Sequence, residues 1–466
     1  MRIGWFMLLV MLVIIVAAAN ARTSAQVTQS VYFPVVSIFA RPSLFAFESG
    51  GGLTDPRVYA RAAELGARWV RLNGVVWHEI QLQRDGPYNW QALAHLDTLL
   101  VTARELGLSP VVVIRGTPLW AAVVPSNCAA IRDEHLGTFA AFLEALAQRY
   151  RDQVMYWELG NEPDVDPALV PIDSPFGCMG DVNDPYYGGE RYGRMLQVAA
   201  PALQRGNPRA RIVFGGVLLN SPIPDHPTFG RSDRFVEGAL LAGAGPYFDV
   251  LAYHSYPSYS GQQLVDHDTA VPGNWQDLGG WTIGKANFLR QALDRFGVQK
   301  PLWLNETSLL CYEDQPYCNP PEAGFFKSQA EHLVRSFARA AAAGTEQVTW
   351  YTLEGPGWRS SSLLDGGQAP RPAYYAFQQM ARMVEPFRDV QPVDYGAGIE
   401  AYRFVKGQTV VDVLWSQQGD RRSVTVPMNR YIDAKRFDGN RVPSQTASGI
   451  VQLQVDFAPV LIERRP

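Results

Sequence analysis

The chain has 466 residues, of which 47% are hydrophobic and 18% charged, and this composition excludes a wholly disordered or fibrous protein. Its 41 basic and 45 acidic residues give a net charge of −4 without basic runs, so nucleic acid and anionic membranes are poor candidate partners. The length would suit about three average domains, although barrels of about 250 residues often form a single domain.

The N-terminus has the pattern of a targeting segment. Arg2 gives a short positive region, residues 3–19 are almost wholly apolar, and A-x-A-like cleavage sites end at Ala21 and Ala25. We assign residues 1–25 to a signal peptide and 26–42 to a lead-in, and we expect a secreted protein, extracellular or periplasmic. An uncleaved N-terminal anchor is the alternative, because about 17 apolar residues lie at the short end for a bilayer span.

From residue 43 onward, short apolar strands alternate with longer helical patterns. The predicted strands cover residues 44–47, 69–72, 111–114, 154–159, 211–214, 248–253, 301–304 and 347–351. The predicted helices cover residues 55–65, 90–106, 134–150, 190–203, 233–241, 283–296, 327–342 and 373–384. Eight strand–helix pairs predict an α/β fold, a closed (β/α)8 TIM barrel over residues 43–385. A doubly wound open sheet is the alternative.

After Pro386 the helical periodicity stops and short alternating strands follow. They are predicted at residues 399–405, 409–415, 423–428 and 451–455, with the first strands beginning near Val390. This pattern predicts a small antiparallel, sandwich-like β domain over residues 386–466.

Four cysteines fit an exported chain: Cys128, Cys178, Cys311 and Cys318. None forms C-x-x-C, which argues against a zinc or thioredoxin-type site. An even number of cysteines in an exported chain predicts two disulfides. Cys311 and Cys318 lie close together in one loop rich in Pro and Asn, and pairing them leaves Cys128 with Cys178. Four free thiols are the alternative.

The polar residues at the C-terminal strand ends are the candidate site residues, because barrel active sites lie there. Glu162 follows strand four and Glu306 follows strand seven, so both can point over the barrel mouth from opposite sides. Cleavage of an acetal needs two carboxyl groups at one bond, one to protonate the leaving oxygen and one to attack or to activate water. Each Glu alone could be a solvated loop charge or half of a structural ion pair, but together they indicate this chemistry.

The segment around Glu162 resembles the strand-four motif of clan A glycoside hydrolases. Residues Trp157 to Pro163 contain the Asn-Glu-Pro hallmark of that clan, and Leu304 to Thr307 resembles the strand-seven segment that carries its nucleophile. The resemblance covers residues 43–385 and is strongest to the β-xylosidase/α-L-iduronidase-like family, then to the cellulase/mannanase-like family. Gly160 and Asn305 depart from the residues that many members carry at these positions.

The resemblance implies a retaining glycoside hydrolase that cleaves β-linked oligo- or polysaccharides by double displacement. It assigns the acid/base to Glu162 and the nucleophile to Glu306. It also assigns contact with the sugar to Asn161, support of Glu306 to Arg71, His254 and Tyr256, and stacking on the sugar to Trp350. Trp77 and Trp120, in the loops after strands two and three, are weaker stacking candidates by their positions. The expected partner is a carbohydrate, and no metal or organic cofactor is needed. A non-catalytic exported carbohydrate-binding or cell-envelope protein on a degenerate barrel is the alternative.

Two further features have less direct interpretations. Residues 279–285 fit the G-x-x-x-x-G-K pattern, but Ala286 stands where Ser or Thr should bind magnesium, and the pattern begins a helix without a preceding strand. We therefore reject a phosphate-binding loop. Glu158 lies within strand four, and we expect it to support the site without acting as the acid.

Overall fold

The computed structural model describes residues 43–171, 177–228, 230–270 and 275–466, all of which belong to one compact unit. The signal peptide and lead-in predicted over residues 1–42 lie outside the described residues. None of the described helices is long and apolar enough to cross a membrane.

Eight parallel strands close into a barrel in sequence order. They are β1 (Phe45–Ser49), β2 (Trp69–Val76), β3 (Ser109–Arg115), β4 (Tyr156–Asn161), β5 (Arg211–Val217), β6 (Val250–Ser255), β7 (Leu302–Thr307) and β8 (Thr345–Trp350). The ring is closed because β1 pairs in parallel with both β2 and β8. The predicted barrel is confirmed, and the open-sheet alternative is wrong.

Eight helices of seven residues or more surround the barrel in the described part of the chain. They are α1 (Pro56–Leu65), α2 (Ala94–Glu105), α3 (Leu136–Arg149), α4 (Gly189–Gly206), α5 (Phe235–Leu241), α6 (Gly280–Arg295), α7 (Ala323–Ala342) and α8 (Pro372–Val384). Helix α1 illustrates why these segments begin where they do. Asp55 accepts a hydrogen bond from the Arg57 N–H, and Pro56 takes the first helical position, where its missing N–H costs no hydrogen bond.

The barrel interior below the mouth is filled by aromatic and aliphatic side chains. Trp69, Tyr156 and Trp303 pack together there with ring centroids 5.2–5.5 Å apart. Residues i and i+2 of a strand share a face, so Arg71 and Glu158 point into the barrel one layer above Trp69 and Tyr156. This packed layer is the floor on which the polar mouth rests.

Eight antiparallel strands follow helix α8, as predicted for the C-terminal region. They are β9 (Asp389–Pro392), β10 (Ile399–Val405), β11 (Val410–Ser416), β12 (Arg422–Pro427), β13 (Tyr431–Arg436), β14 (Ser444–Ala447), β15 (Ile450–Val455) and β16 (Val460–Arg464). Five form one sheet, in the order β13-β16-β11-β10-β9, and three form a second, in the order β12-β15-β14. Helix α7 packs against the larger sheet, where Arg339 donates to Glu400 of β10.

Candidate active site

The polar groups of the barrel mouth gather around Arg71, whose side chain is 1% exposed. Its Nε and Nη2 both donate to Glu158 at 2.8 Å, and Nη2 also donates to Asn161 Oδ1 at 2.7 Å. The third nitrogen, Nη1, donates to Glu48 and to Glu306. One buried guanidinium therefore positions carboxylates from three strands.

The two predicted carboxylates, Glu162 and Glu306, meet at His254. His254 Nδ1 lies 3.0 Å from Glu162 Oε1 and 3.3 Å from Glu306 Oε2. A carboxylate oxygen of each Glu and this ring nitrogen all lie within 4.8 Å of one another. The Tyr256 hydroxyl donates to Glu306 Oε2. Such a trio could hold a cation, but Glu306 already accepts from Arg71, whose positive charge opposes a second one.

The backbone at the end of β4 aims Glu162 across the mouth. Glu162 has a left-handed φ of 54°, and its N–H donates to the Gly216 carbonyl at 3.0 Å. Gly160 also has a left-handed φ, 87°, which favours glycine. The loop at Gly177 approaches so closely that a Cβ there would lie 2.7 Å from the Gly160 Cα. The close approach requires glycine at 177, and the left-handed φ explains why glycine stands at 160, where many clan members carry a larger residue.

The other departure from the clan pattern, Asn305, lies beside His254. A Cβ on Gly216 would meet His254 Nε2 at 2.2 Å and Asn305 Oδ1 at 2.5 Å, so only glycine leaves room for both side chains. The Gly216 N–H donates to Glu158 Oε1 at 3.0 Å. Strand β5 thus contributes backbone and space to the site, while its neighbours contribute the side chains.

Burial controls the protonation of Glu162 and Glu306. It raises the pKa of Glu162 to about 7, against the opposing charge of Arg71. It also raises the pKa of Glu306 well above its usual range, again against Arg71. The hydrogen bonds that Glu306 accepts from Arg71 and Tyr256 favour its ionised form, and Glu162 has neither of these donors, so we assign the protonated form to Glu162. Burial, followed by Arg71, lowers the pKa of His254 well below its usual value, so this imidazole is neutral.

Trp350 does not reach the barrel mouth, and its predicted role as the sugar platform is wrong. Its side chain is wholly buried, it donates to the Ser361 carbonyl at 2.9 Å, and it packs toward His332 of α7. Adjacent residues of a strand face opposite sides, so the side chain that turns toward the mouth is the next one, Tyr351. Its ring lies 5.9 Å from that of Tyr256.

The exposed aromatic side chain beside the pair is Trp358, in the loop after β8. Its residue is 49% exposed and its ring lies 6.1 Å from that of Tyr256. Of the weaker candidates, Trp77 is also excluded as a platform, since it is 1% exposed and packs on Phe139. Trp120 is partly buried against Trp77.

Lys285 of the rejected phosphate-loop pattern lies behind the site, a position that no local sequence pattern indicates. It is wholly buried on α6, and its Nζ donates to the carbonyls of Leu218 at 2.5 Å and His254 at 2.9 Å. Burial lowers the pKa of Lys285 to about 7, against the charges of Asp164 and Glu162. A buried lysine therefore supports the strand that carries His254.

Both predicted disulfides are present. Cys128–Cys178 joins the loop after β3 to the loop after β4, with Cα atoms 4.9 Å apart. Cys311–Cys318 closes a turn in the loop after β7, with Cα atoms 5.3 Å apart. The alternative of free thiols is wrong, and the first disulfide fastens the loop that packs on Gly160.

No protein-family model matches the sequence, and no curated protein matches it either. Solved structures do match in fold. A family 39 glycoside hydrolase from the gut symbiont Bacteroides cellulosilyticus WH2 superposes with a TM-score of 0.66 at 15% identity, covering 91% of this chain and 81% of that one. A conserved exported protein from Bacteroides fragilis gives 0.62 at 14% identity, covering 91% and 97%. A GH30 endoxylanase from Clostridium papyrosolvens C71 gives 0.58 at 12% identity, covering 92% and 97%. At these identities the similarity confirms the resemblance at the level of fold.

Proposed function

We propose that this chain is an exported retaining glycoside hydrolase that cleaves β-linked oligo- or polysaccharides. The observation that carries the proposal is the pair Glu162 and Glu306, with an oxygen of each within 4.8 Å of the other at the mouth of the barrel. Retaining enzymes hold their carboxyl groups about 5–5.5 Å apart, whereas inverting enzymes separate them by about 6.5–9.5 Å to admit a water. The short separation therefore supports direct attack by one carboxylate.

In the first step, Glu306 attacks the anomeric carbon as the bond to the leaving oxygen breaks. Protonated Glu162 gives its proton to that oxygen, so that the leaving group departs as an alcohol. Arg71 and Tyr256 direct hydrogen bonds at Glu306, which hold its attacking oxygen in place. The product of this step is a glycosyl ester of Glu306 and an ionised Glu162.

In the second step, a water takes the place of the leaving group. Glu162 removes a proton from the water while the water oxygen attacks the anomeric carbon, and the ester bond to Glu306 breaks. Neutral His254 lies within hydrogen-bond reach of both carboxyls, so it adds no charge that would favour either ionised form. Hydrolysis then restores one protonated and one ionised carboxyl.

The substrate class is supported by the chemistry of the mouth and by the neighbouring folds. Trp358 offers an exposed aromatic face next to Tyr256, as sugar rings require for stacking. The similar structures include proteins described as an endoxylanase, a glucosidase and an α-L-arabinofuranosidase. The two disulfides support export to an oxidising compartment.

A panel of aryl β-glycosides and polysaccharides tests the proposal. We expect turnover of at least one aryl glycoside by the wild-type chain and its loss in Glu162→Gln with the ordinary substrates of the panel. Glu105→Gln, an exposed carboxylate at the end of α2, is the matched control and should retain full activity. Carbohydrate binding without turnover on any substrate would instead favour the non-catalytic alternative.

A further inference from the structure

Glu48, a third carboxylate at the mouth, shares one guanidinium nitrogen with Glu306. It lies on β1, is 2% exposed, and accepts from the same Arg71 Nη1 that donates to Glu306. Its other oxygen accepts from Asn73 Nδ2 at 2.7 Å. Glu158 does not compete for that nitrogen, since Arg71 binds it through Nε and Nη2. Glu48 therefore competes with Glu306 for hydrogen bonding and ion pairing with Arg71 Nη1.

We propose that Glu48 is a positioning residue that keeps Glu306 basic enough to attack by holding part of Arg71 Nη1 away from it. This inference rests on the retaining mechanism proposed above. A carboxylate that had Nη1 to itself would be more stable as an ion and therefore a weaker nucleophile. When Glu306 becomes a neutral ester, Glu48 remains as the carboxylate on Nη1, so the buried cation keeps its partner.

Charged and titratable groups surround Glu306 on every side of the barrel. They are Glu48 on β1, Arg71 on β2, Arg115 at the end of β3, Glu158 and Glu162 on or after β4, His254 and Tyr256 on or after β6, Tyr351 after β8, and Lys285 behind His254. Burial raises the pKa of Glu306, Arg71 lowers it, and Glu48 and Glu162 raise it further. Apart from Glu162, Glu48 is therefore the carboxylate whose removal should lower the pKa of Glu306.

The substitution Glu48→Gln removes this charge while the local hydrogen bonds can be kept. Asn73 Oδ1 is buried and has no hydrogen-bond partner among the described residues, so a rotated Asn73 amide can accept from the introduced side-chain amide. The oxygen of the introduced amide would then still accept from Arg71. With its negative neighbour gone, Glu306 should ionise at lower pH. Because the nucleophile must be ionised, the acidic limb of kcat/KM should move down by about 1 pH unit.

The pKa of Glu306 can also be measured without any substrate. The measurement uses the Glu162→Gln variant, in which the neighbouring carboxyl no longer titrates. We would titrate its ¹³C-labelled glutamate carboxyls by NMR. The Glu306 signal is assigned as the one that disappears in Glu306→Gln. Adding Glu48→Gln should lower the Glu306 pKa by about 1 unit. The matched control is Glu354→Gln, a neighbouring carboxyl that bonds Gly50 and Gly52 of the β1 loop instead of Arg71. Glu354→Gln should leave the pKa of Glu306 unchanged.

A Glu306 pKa that stays constant or rises in the Glu48→Gln background would overturn the proposal, because Glu48 would then serve only to hold Arg71. If Glu48→Gln fails to fold, Glu48→Asp can replace it, because this substitution withdraws the carboxylate from Arg71 by one methylene. Glu48→Asp must then also lower the pKa of Glu306. The NMR readout separates the two proposals. A lowered Glu306 pKa in a chain without glycosidase activity would reject the function while the role of Glu48 in tuning Glu306 held.

Discussion

Arg71 joins Glu48, Glu158 and Glu306 within a site that excludes most water, so each charge depends on its partners. Although burial works against its ionised form, Arg71 lowers the pKa of Glu158, which stays ionised. Glu162, by contrast, makes no hydrogen bond to Arg71 and lies against neutral His254. Glu306 in turn accepts hydrogen bonds from Arg71 and Tyr256, which Glu162 lacks. This difference in partners separates the proposed acid from the proposed nucleophile.

Separate roles for the two carboxyls should appear on truncation. Glu306→Ala should abolish turnover with every substrate, because the attacking oxygen is gone. Glu162→Ala should lose about 10²–10⁴-fold with poor leaving groups, which need protonation, but little with very good ones. Added azide should restore turnover in Glu162→Ala and give the β-glycosyl azide, whereas in Glu306→Ala azide can react only in place of the missing carboxylate and would give the α-glycosyl azide. Initial rates and product analysis across aryl glycosides measure both. The same response to leaving group and azide in both variants would make the assignment of roles wrong.

Lys285 should tune the acid/base. Its charge favours the ionised form of Glu162, whose pKa is about 7. The proposed mechanism requires protonated Glu162, so kcat/KM should fall as pH rises through that value. Lys285→Met removes the charge, which Lys285 itself loses near pH 7, so it should raise the pKa of Glu162 and move the alkaline limb up by less than about 1 pH unit. Lys300→Met, which alters a lysine just before β7, is the control. An alkaline limb that stays fixed in Lys285→Met would exclude this electrostatic role.

The sequence predicts the barrel elements and the two carboxyls from local patterns, but not the side-chain directions and packing that depend on the folded barrel. The βα repeat placed every barrel element within a few residues, and Glu162 and Glu306 stood out because apolar strands end at them. Trp350 was assigned to the mouth although its strand position turns it outward. Glu48 was missed because the predicted first strand stops one residue earlier, at Phe47. Lys285 was missed because its role depends on how α6 packs behind β6, which no local pattern reports.

Substitution of Trp358, in the loop after β8, should affect substrate binding, whereas substitution of Trp350, the last residue of β8, should affect stability. Trp358→Ala removes an exposed ring beside the pair and should raise KM by about 3- to 10-fold with little change in kcat. Trp350→Phe removes a buried hydrogen bond to Ser361 and should lower the melting temperature while KM stays near wild type. Steady-state kinetics and thermal melts on both variants measure this. The reverse pattern would return the sugar platform to Trp350.

In the whole molecule, a buried ion cluster fastens the C-terminal sheets to the barrel. Arg339 of α7 donates to Glu400 of β10 and to Asp266 and Asp268 in the loop that follows β6. That loop leaves the strand end that carries His254 and Tyr256. The β domain therefore contacts the same connection that builds one wall of the mouth.

Arg339→Met should destabilise the chain by about 3–5 kcal/mol, because it leaves the buried Asp268 and the partly buried Asp266 and Glu400 without this cation. Chemical denaturation should still show one transition, since the barrel and the β domain share this cluster. Arg382→Met, an exposed arginine on α8, should change the free energy of unfolding by less than about 0.5 kcal/mol. Equal stability in Arg339→Met and wild type would mean that the cluster does not join the two parts.

The stereochemical outcome of hydrolysis tests the pairing of Glu162 and Glu306 most directly. Proton NMR can follow the anomeric signal of the first product from an aryl β-glycoside before mutarotation mixes the anomers. Direct attack by Glu306, followed by water on the same face, predicts that the β-anomer appears first. Initial appearance of the α-anomer would contradict the nucleophile role of Glu306 and the mechanism built on it.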